Sequence, residues 1–158
     1  MFNEKNRGLH TYRGILLVAC LALCTAVLAN MSADSGTVKT VKGDVRIERD
    51  GGSLAVKVGD QVRVGDRIVV PKDGSAGITL RDDTIIAAGP GSRIVIDQFV
   101  FNPTTREGKV ETTLLRGMMK YFSGVIAKRD PASVRVRTPN ATVGIRGTEF
   151  IVEVPDDK

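Results

Sequence analysis

From Val38 onward the sequence is cut every six to eight residues by a glycine- or aspartate-bearing cluster, and short runs rich in valine and isoleucine fill the gaps. TVKTV meets Gly43-Asp44, VRIER meets Asp50-Gly51-Gly52, and LAVKV meets Gly59-Asp60; VRV then meets Gly65-Asp66, and RIVV meets Pro71-Lys72-Asp73-Gly74. Each cluster has the chemistry of a turn, because glycine adopts positive φ freely and aspartate hydrogen-bonds its own backbone. The β-branched runs suit a pleated, partly buried surface. No 3.6-residue hydrophobic period is sustained after residue 30, so the expected fold class is all-β: a short-stranded, solenoid-like or sandwich-like single domain after an N-terminal signal helix.

The segments VKVGDQ and VRVGDR form a six-residue near-repeat. It fits either two coils of a solenoid, which appear in sequence as repeated short strands, or two successive tight turns of a meander. Further on, Asp82-Asp83 reads as a hairpin tip and Gly89-Pro90-Gly91-Ser92 as a corner. Phe99 and Phe101 are two apart, so an extended chain aims both rings at one face, where burial stabilises strongly. Residues 102–108 form the clearest loop, and KVETTLL and Arg116-Gly117 follow it. MMKYFSGVIAKR carries apolar groups on both strand faces, which leaves a strand and a helical turn both open.

The first 29 residues have a different character. Lys5, Arg7 and Arg13 precede an apolar run over residues 14–29 that ends in Val27-Leu28-Ala29. A basic start, an apolar middle and a small-residue end are the layout of a secretory signal peptide. The expected division is a signal peptide (or uncleaved membrane anchor) at 1–29, a short polar linker at 30–36 and a β-domain at 37–158. As a membrane span the run is short, since about 20 residues are usual. A third reading takes Leu17-Val18-Ala19-Cys20 as a lipobox. The expected location is periplasmic or secreted in a Gram-negative envelope, with inner-membrane anchoring as the alternative.

Cys20, Cys24 and His10 all fall in the leading segment, so residues 30–158 contain no Cys, His or Trp. Zinc and copper sites draw on imidazole or thiolate, and nucleophilic triads need a histidine. No catalytic residue, metal site or cofactor is therefore expected. Paired carboxylates of the glycosidase kind remain open in principle, but no tryptophan is present to stack a sugar. Asp82, Asp83 and Thr84 lack the spacing of an EF-hand loop. Removing Lys5, Arg7, Arg13 and Glu4 from totals of 23 basic and 18 acidic residues leaves 20 and 17. This mild excess implies no polyanion partner, and export together with the lack of any binding motif argues against nucleic acid. The membrane enters only through the N-terminal segment if it stays uncleaved.

The charge is nonetheless uneven. Residues 106–146 hold nine basic side chains against Glu107, Glu111 and Asp130. In VRVRTPNATVGIRGTEFIVEV (134–154), Val134, Val136 and Thr138 alternate with Arg135 and Arg137, Pro139 and Asn140 turn the chain, and Phe150, Val152 and Val154 oppose Glu149 and Glu153. Gly144 and Gly147, inside the second run, suggest a bulge or close backbone approach. Arg146 between them suggests a long side chain reaching a buried carboxylate. Arg135 and Arg137 on one strand face are either a solvated basic surface or a forked site for carboxylate or phosphate. They are the candidate partner-binding residues.

Thr138, Pro139, Ala141, Gly144, Arg146, Gly147, Thr148 and Phe150 follow a Thr-Pro-x-Ala-x-x-Gly-x-Arg-Gly-Thr-x-Phe pattern. With the turns at Gly59-Asp60 and Gly65-Asp66, the Asp82-Asp83-Thr84 hairpin and Pro90-Gly91-Ser92, this pattern resembles the FecR family of bacterial envelope proteins over residues 38–154. The resemblance implies a non-enzymatic periplasmic β-module that binds another envelope protein, such as an outer-membrane iron-siderophore transporter or a signalling protein. Relatives that signal also carry a cytoplasmic segment controlling a sigma factor. The thirteen or so residues before the apolar run are too few for such a domain, and Asp83 stands where the family commonly has glycine. A binder of an anionic envelope polymer (glycan or lipid phosphate) and a purely structural periplasmic protein are the alternatives.

Overall fold

A computed structural model describes residues 34–145 and 147–155. The expected signal peptide, with its two cysteines and the lipobox, lies outside the described residues, as do residues 30–33 and Arg146. The first strand, β1 (Asp34–Lys42), takes in three residues that the sequence reading placed in a polar linker.

The other strands are β2 (Arg46–Arg49), β3 (Gly52–Ala55), β4 (Gln61–Arg63), β5 (Arg67–Val69), β6 (Ser75–Leu80), β7 (Ile85–Ala88), β8 (Arg93–Phe101), β9 (Gly108–Phe122), β10 (Val134–Arg137), β11 (Thr142–Gly144) and β12 (Glu149–Val154). One short helix, α1 (Val125–Arg129), and a 3-10 turn (Pro131–Ser133) separate β9 from β10. The fold is mostly β, as expected. A single large sheet curls into a half-barrel in the order β3-β2-β5-β8-β9-β7-β6-β1-β4, with β10 and β12 added against β9 and β11 against β10. All described pairs are antiparallel except β9 with β10.

The pairing shows that the turn clusters are of two kinds. β1 pairs β6 while β2 pairs β5; β7 pairs β6 and β9, and β8 pairs β5 and β9. Residues 34–49, 67–80, 85–101 and 108–122 are thus four long ribbons, each bent once. Some clusters close hairpins. At Asp82-Asp83 the Asp83 N–H donates to the Leu80 carbonyl at 3.1 Å and Asp83 takes φ 64°; at the 102–107 loop the Asn102 N–H donates to the Glu107 carbonyl at 2.8 Å. The rest are bends, and they lie side by side. The Gly91 N–H donates to the Pro71 carbonyl at 3.0 Å, and the Gly89 N–H to the Met118 carbonyl at 2.8 Å.

Two of these bends call for glycine. Gly43 has φ 79°, and a Cβ there would stand 3.1 Å from Gly74 Cα and from Pro71 Cγ. Gly117 has φ 82°, and a Cβ there would stand 2.6 Å from Ser92 Cα. The dihedral strains any other residue at both positions; at Gly117 the neighbouring chain also blocks a Cβ, and at Gly43 it would have to give by a few tenths of an ångström. Inner residues on both sides of the row of bends, among them Ile78, Leu80 and Ile86 on one side and Ile47, Ile68 and Ile94 on the other, join one hydrophobic core. Burying each such side chain contributes roughly 1.5–3 kcal/mol. Phe99 and Phe101 pack against that core, half-buried.

The near-repeat is one turn used twice. Asp60 Oδ2 accepts the Lys57 N–H and Asp66 Oδ2 accepts the Arg63 N–H, each at 2.7 Å. The strands flanking the two turns do not stack on each other: β3 and β5 pair antiparallel with β2 and β4 pairs antiparallel with β1, so the repeat forms turns of a meander and not solenoid coils. MMKYF completes β9, and VIAKR forms α1, so each reading of that stretch holds for one half of it. The final run, by contrast, is two strands and not one. β11 pairs β10, whereas β12 pairs the far half of β9. The close approach expected at Gly144 and Gly147 is absent, since a Cβ at either would have no described atom within 4 Å. Gly147 instead supplies φ 132° where the chain crosses between the two strands.

Candidate functional site

The strand β10 shows how the sequence places two arginines outward. Val134 and Val136 are fully buried, so strict alternation leaves Arg135 and Arg137 on the outer face. β10 runs parallel to β9 with Arg135 beside Glu111 and Arg137 beside Thr113. On its other flank β11 sets Gly144 beside Arg135 and Thr142 beside Arg137. These small residues leave both guanidinium groups unshielded, about half exposed.

Glu111 is the centre of the arrangement. Its carboxylate is nearly buried, and three cations surround it: Lys109 Nζ at 2.9 Å, Arg137 Nη2 at 3.0 Å and Arg135 Nη1 at 3.8 Å. The hydrogen bond from Lys109 holds the Glu111 carboxyl below its ordinary range, with Arg137, Lys109 and Arg135 adding by charge and burial opposing. The Arg135 contact is too long for a hydrogen bond, and among the described residues its side chain makes no other polar contact. One negative charge against three positive ones leaves this face with a net excess of two.

The patch has definite borders. On β8 Asp97 accepts the Thr113 hydroxyl at 2.6 Å, which places a carboxylate on the β8 side. At the far end Arg129 binds the Thr105 carbonyl at 2.7 Å and Glu107 at 3.0 Å. Beside Arg135 a groove of about 610 Å³ runs between the 3-10 turn and the end of β11, lined by Pro131, Ala132 and Ile145 among others. Asp130 lines the same groove, so the surface beside Arg135 carries an acidic residue as well as apolar ones. No group of His, Cys, Asp or Glu among the described residues is arranged to hold a metal ion.

The structure therefore brings Arg135 and Arg137 together, as the alternation predicted, and adds Glu111 and Lys109. Of the signature residues, Thr138, Pro139 and Ala141 build the β10–β11 turn. There the Thr138 N–H donates to the Ala141 carbonyl at 2.8 Å, and the Thr138 hydroxyl accepts the Ala141 N–H at 3.0 Å. The Gly147 and Thr148 carbonyls accept from Ser123, tying the crossing to the end of β9. Phe150 stacks on Tyr121 with ring centroids 5.0 Å apart. These are structural duties, set apart from the arginine face.

A second polar cluster sits at the hairpin tip read from Asp82-Asp83, and its burial and its link to α1 were not legible in the sequence. Asp82 and Thr84 are fully buried at the β6–β7 tip. The Thr84 hydroxyl donates to Asp82 at 2.9 Å and accepts the Gly124 N–H at 3.1 Å, and the Asp82 carbonyl accepts the Val125 N–H at 2.7 Å. The hairpin tip thereby anchors the start of α1. Its sequence signal is the pairing of Asp with Thr two residues on, an Asx-type arrangement.

Comparison with known proteins places the chain in a family. The model of the family described as FecR protein matches residues 66–158, which span β5 to the C-terminal end of the sequence and more than half of the 158 residues. The match begins at Asp66, later than the residue 38 at which the resemblance in sequence starts. No curated protein and no solved structure matches the chain significantly. The signature residues from Thr138 to Phe150 lie within the matched region, and the chain belongs to the FecR family.

Proposed function

We propose that the chain is an exported, non-enzymatic FecR-type module that binds another protein of the cell envelope through the outer face of β10, in envelope signalling. The observation that carries this reading is the imbalance at Glu111, where a single carboxylate is shared by Lys109, Arg135 and Arg137. Surface charges that exist only for solubility are ordinarily interspersed by sign. Here three cations converge, and among the described residues Arg135 makes no side-chain hydrogen bond. An acidic surface on the partner would gain charge-assisted hydrogen bonds and be steered toward the face. Family membership supports a partner in envelope signalling, with an outer-membrane transporter as the leading type.

The test is crosslinking of the tagged full chain in intact envelope, compared with an Arg135→Glu/Arg137→Glu double variant. The expected result is an envelope protein recovered with the parent chain and lost from the variant. Identical recovery from both would overturn the proposal. Recovery of only anionic glycan or lipid, abolished by moderate salt, would assign the face to a polymer instead, because polyanion capture weakens steeply as salt rises. Sequencing the mature amino terminus in the same sample settles the fate of residues 1–29.

A further inference from the structure

β12 is a six-residue strand that pairs only with β9 among the described strands, so its other edge is open. It is the longest such edge: β11 and β4 have three residues each and β3 has four. The core also stops short under it. On β9, Met119 and Tyr121 are fully buried, whereas Phe150, Val152 and Val154, one strand further out and facing the same core, are only half-buried. On the outer side Ile151 is 60% exposed between Glu149 and Glu153. Lys120 pairs with Glu149, and Glu153 makes no ion pair among the described residues.

We propose that the β12 edge accepts an extended segment of a partner protein as a further antiparallel strand, one that alternates apolar residues toward the core with lysine or arginine toward Glu149 and Glu153. An added strand would satisfy the open row of backbone donors and acceptors and cover Phe150, Val152 and Val154. Outward basic residues would stand across from the two glutamates, where opposite charges stabilise a cross-strand pair and like charges oppose it. The same rule disfavours a second copy of this chain. A two-fold pairing centred on Ile151 sets Glu149 opposite Glu153 twice, and one centred on Val152 sets Ile151 opposite Glu153. The acidic residues thus guard the edge against itself while leaving it open to a strand of the other sign. This surface is separate from the β10 face, and neither proposal depends on the other.

The probe is a fluorescent peptide of about eight residues alternating valine and lysine, titrated into the full chain and followed by anisotropy. Three controls accompany it: a valine–glutamate peptide, a scrambled peptide, and a valine–lysine peptide N-methylated at alternate residues. Saturable binding of the valine–lysine peptide alone is expected, with hydrogen-exchange protection appearing at residues 149–154. Glu153→Lys should weaken it by about fivefold or more and strengthen the valine–glutamate peptide. Arg135→Glu/Arg137→Glu should leave strand capture in place, so failure of one proposal is distinguishable from failure of the other. Equal binding of the N-methylated peptide would overturn the proposal, since simple charge attraction needs no backbone donors. Absence of saturable binding, or dimerisation of the chain through β12, would overturn it as well.

Discussion

Arg49 grips Asp66 with both arms of its guanidinium, Nε to Oδ1 and Nη2 to Oδ2 at 2.6 Å each, and Asp66 is fully buried. The same Nη2 donates to the Gln61 carbonyl at 3.1 Å, and Asp66 also accepts the Arg63 N–H. The pair links β2, next to one end of the sheet order, to β4 at the other end, and so draws the curl together. Removing the arginine would strand a desolvated carboxylate. Arg49→Ala is therefore expected to cost about 3–5 kcal/mol in urea unfolding, and Arg49→Lys less, because it keeps the charge and loses the fork. A loss below about 1 kcal/mol for alanine would mean that the pair does not hold the ends together.

A second prediction concerns the row of bends. Ser92 Oγ accepts the Met118 N–H at 3.0 Å and donates to the Met118 carbonyl at 2.7 Å, so one hydroxyl fastens two ribbons where both bend. Gly117→Ala adds a Cβ against Ser92 and forces an unfavourable dihedral. The expected cost is about 2–4 kcal/mol, from overpacking and left-handed strain together. Ser92→Ala should cost about 1–2 kcal/mol through the Met118 N–H it leaves unpaired, the Met118 carbonyl keeping the Gly89 N–H. Thermal melts of the two variants and of their double mutant test the geometry, since residues in contact should not add.

How much of this could be read beforehand follows from what is local. Gly-Asp and Pro-x-Asp-Gly clusters marked nearly every change of direction, because turn chemistry lies within four residues. Whether a cluster closes a hairpin, as at Asp82-Asp83, or bends a ribbon, as at Gly43 and Gly117, depends on which strand lies alongside. Sequence pattern carries no such information. The outward aim of Arg135 and Arg137 was legible from alternation alone. Glu111 was not singled out, because its place beside Arg135 comes from a parallel pairing of β9 with β10 across a connection of more than ten residues that contains α1. The break of the last run into β11 and β12 was hidden for a similar reason: both pieces have strand composition, and only the half of β9 each one meets distinguishes them.

The cluster at Glu111 gives stability a dependence on acid. The Glu111 carboxyl lies below its ordinary range when folded, against about 4.3 in an unfolded chain. A depressed carboxyl stabilises the fold above the unfolded value, and that contribution is lost as pH falls through the folded value. Glu111→Gln removes the charge at every pH. The stability gap between parent and variant should therefore be full at pH 6–7 and shrink steadily below about pH 4. Denaturant midpoints measured from pH 3 to pH 7 check this, and a gap that stays constant across that range would contradict it.

Tyr121 carries the opposite dependence, and its hydroxyl is expected to be dispensable. The side chain is fully buried against Phe150, and its phenol oxygen has no hydrogen-bond partner among the described groups. Burial pushes the phenol well above its ordinary value, with the neighbouring Thr84 hydroxyl opposing and the Asp82 carboxylate adding to the effect. A raised phenol favours the neutral folded form, so its contribution is intact below the unfolded value of about 10 and is lost as pH rises through the folded value. Tyr121→Phe keeps the ring, deletes an unpaired buried group and cannot ionise. At pH 7 the variant should match the parent within about 1 kcal/mol or exceed it, and above about pH 10 it should outlast the parent in alkaline unfolding. A loss of 2 kcal/mol or more at neutral pH would show that the hydroxyl is bonded within the Asp82–Thr84 cluster after all.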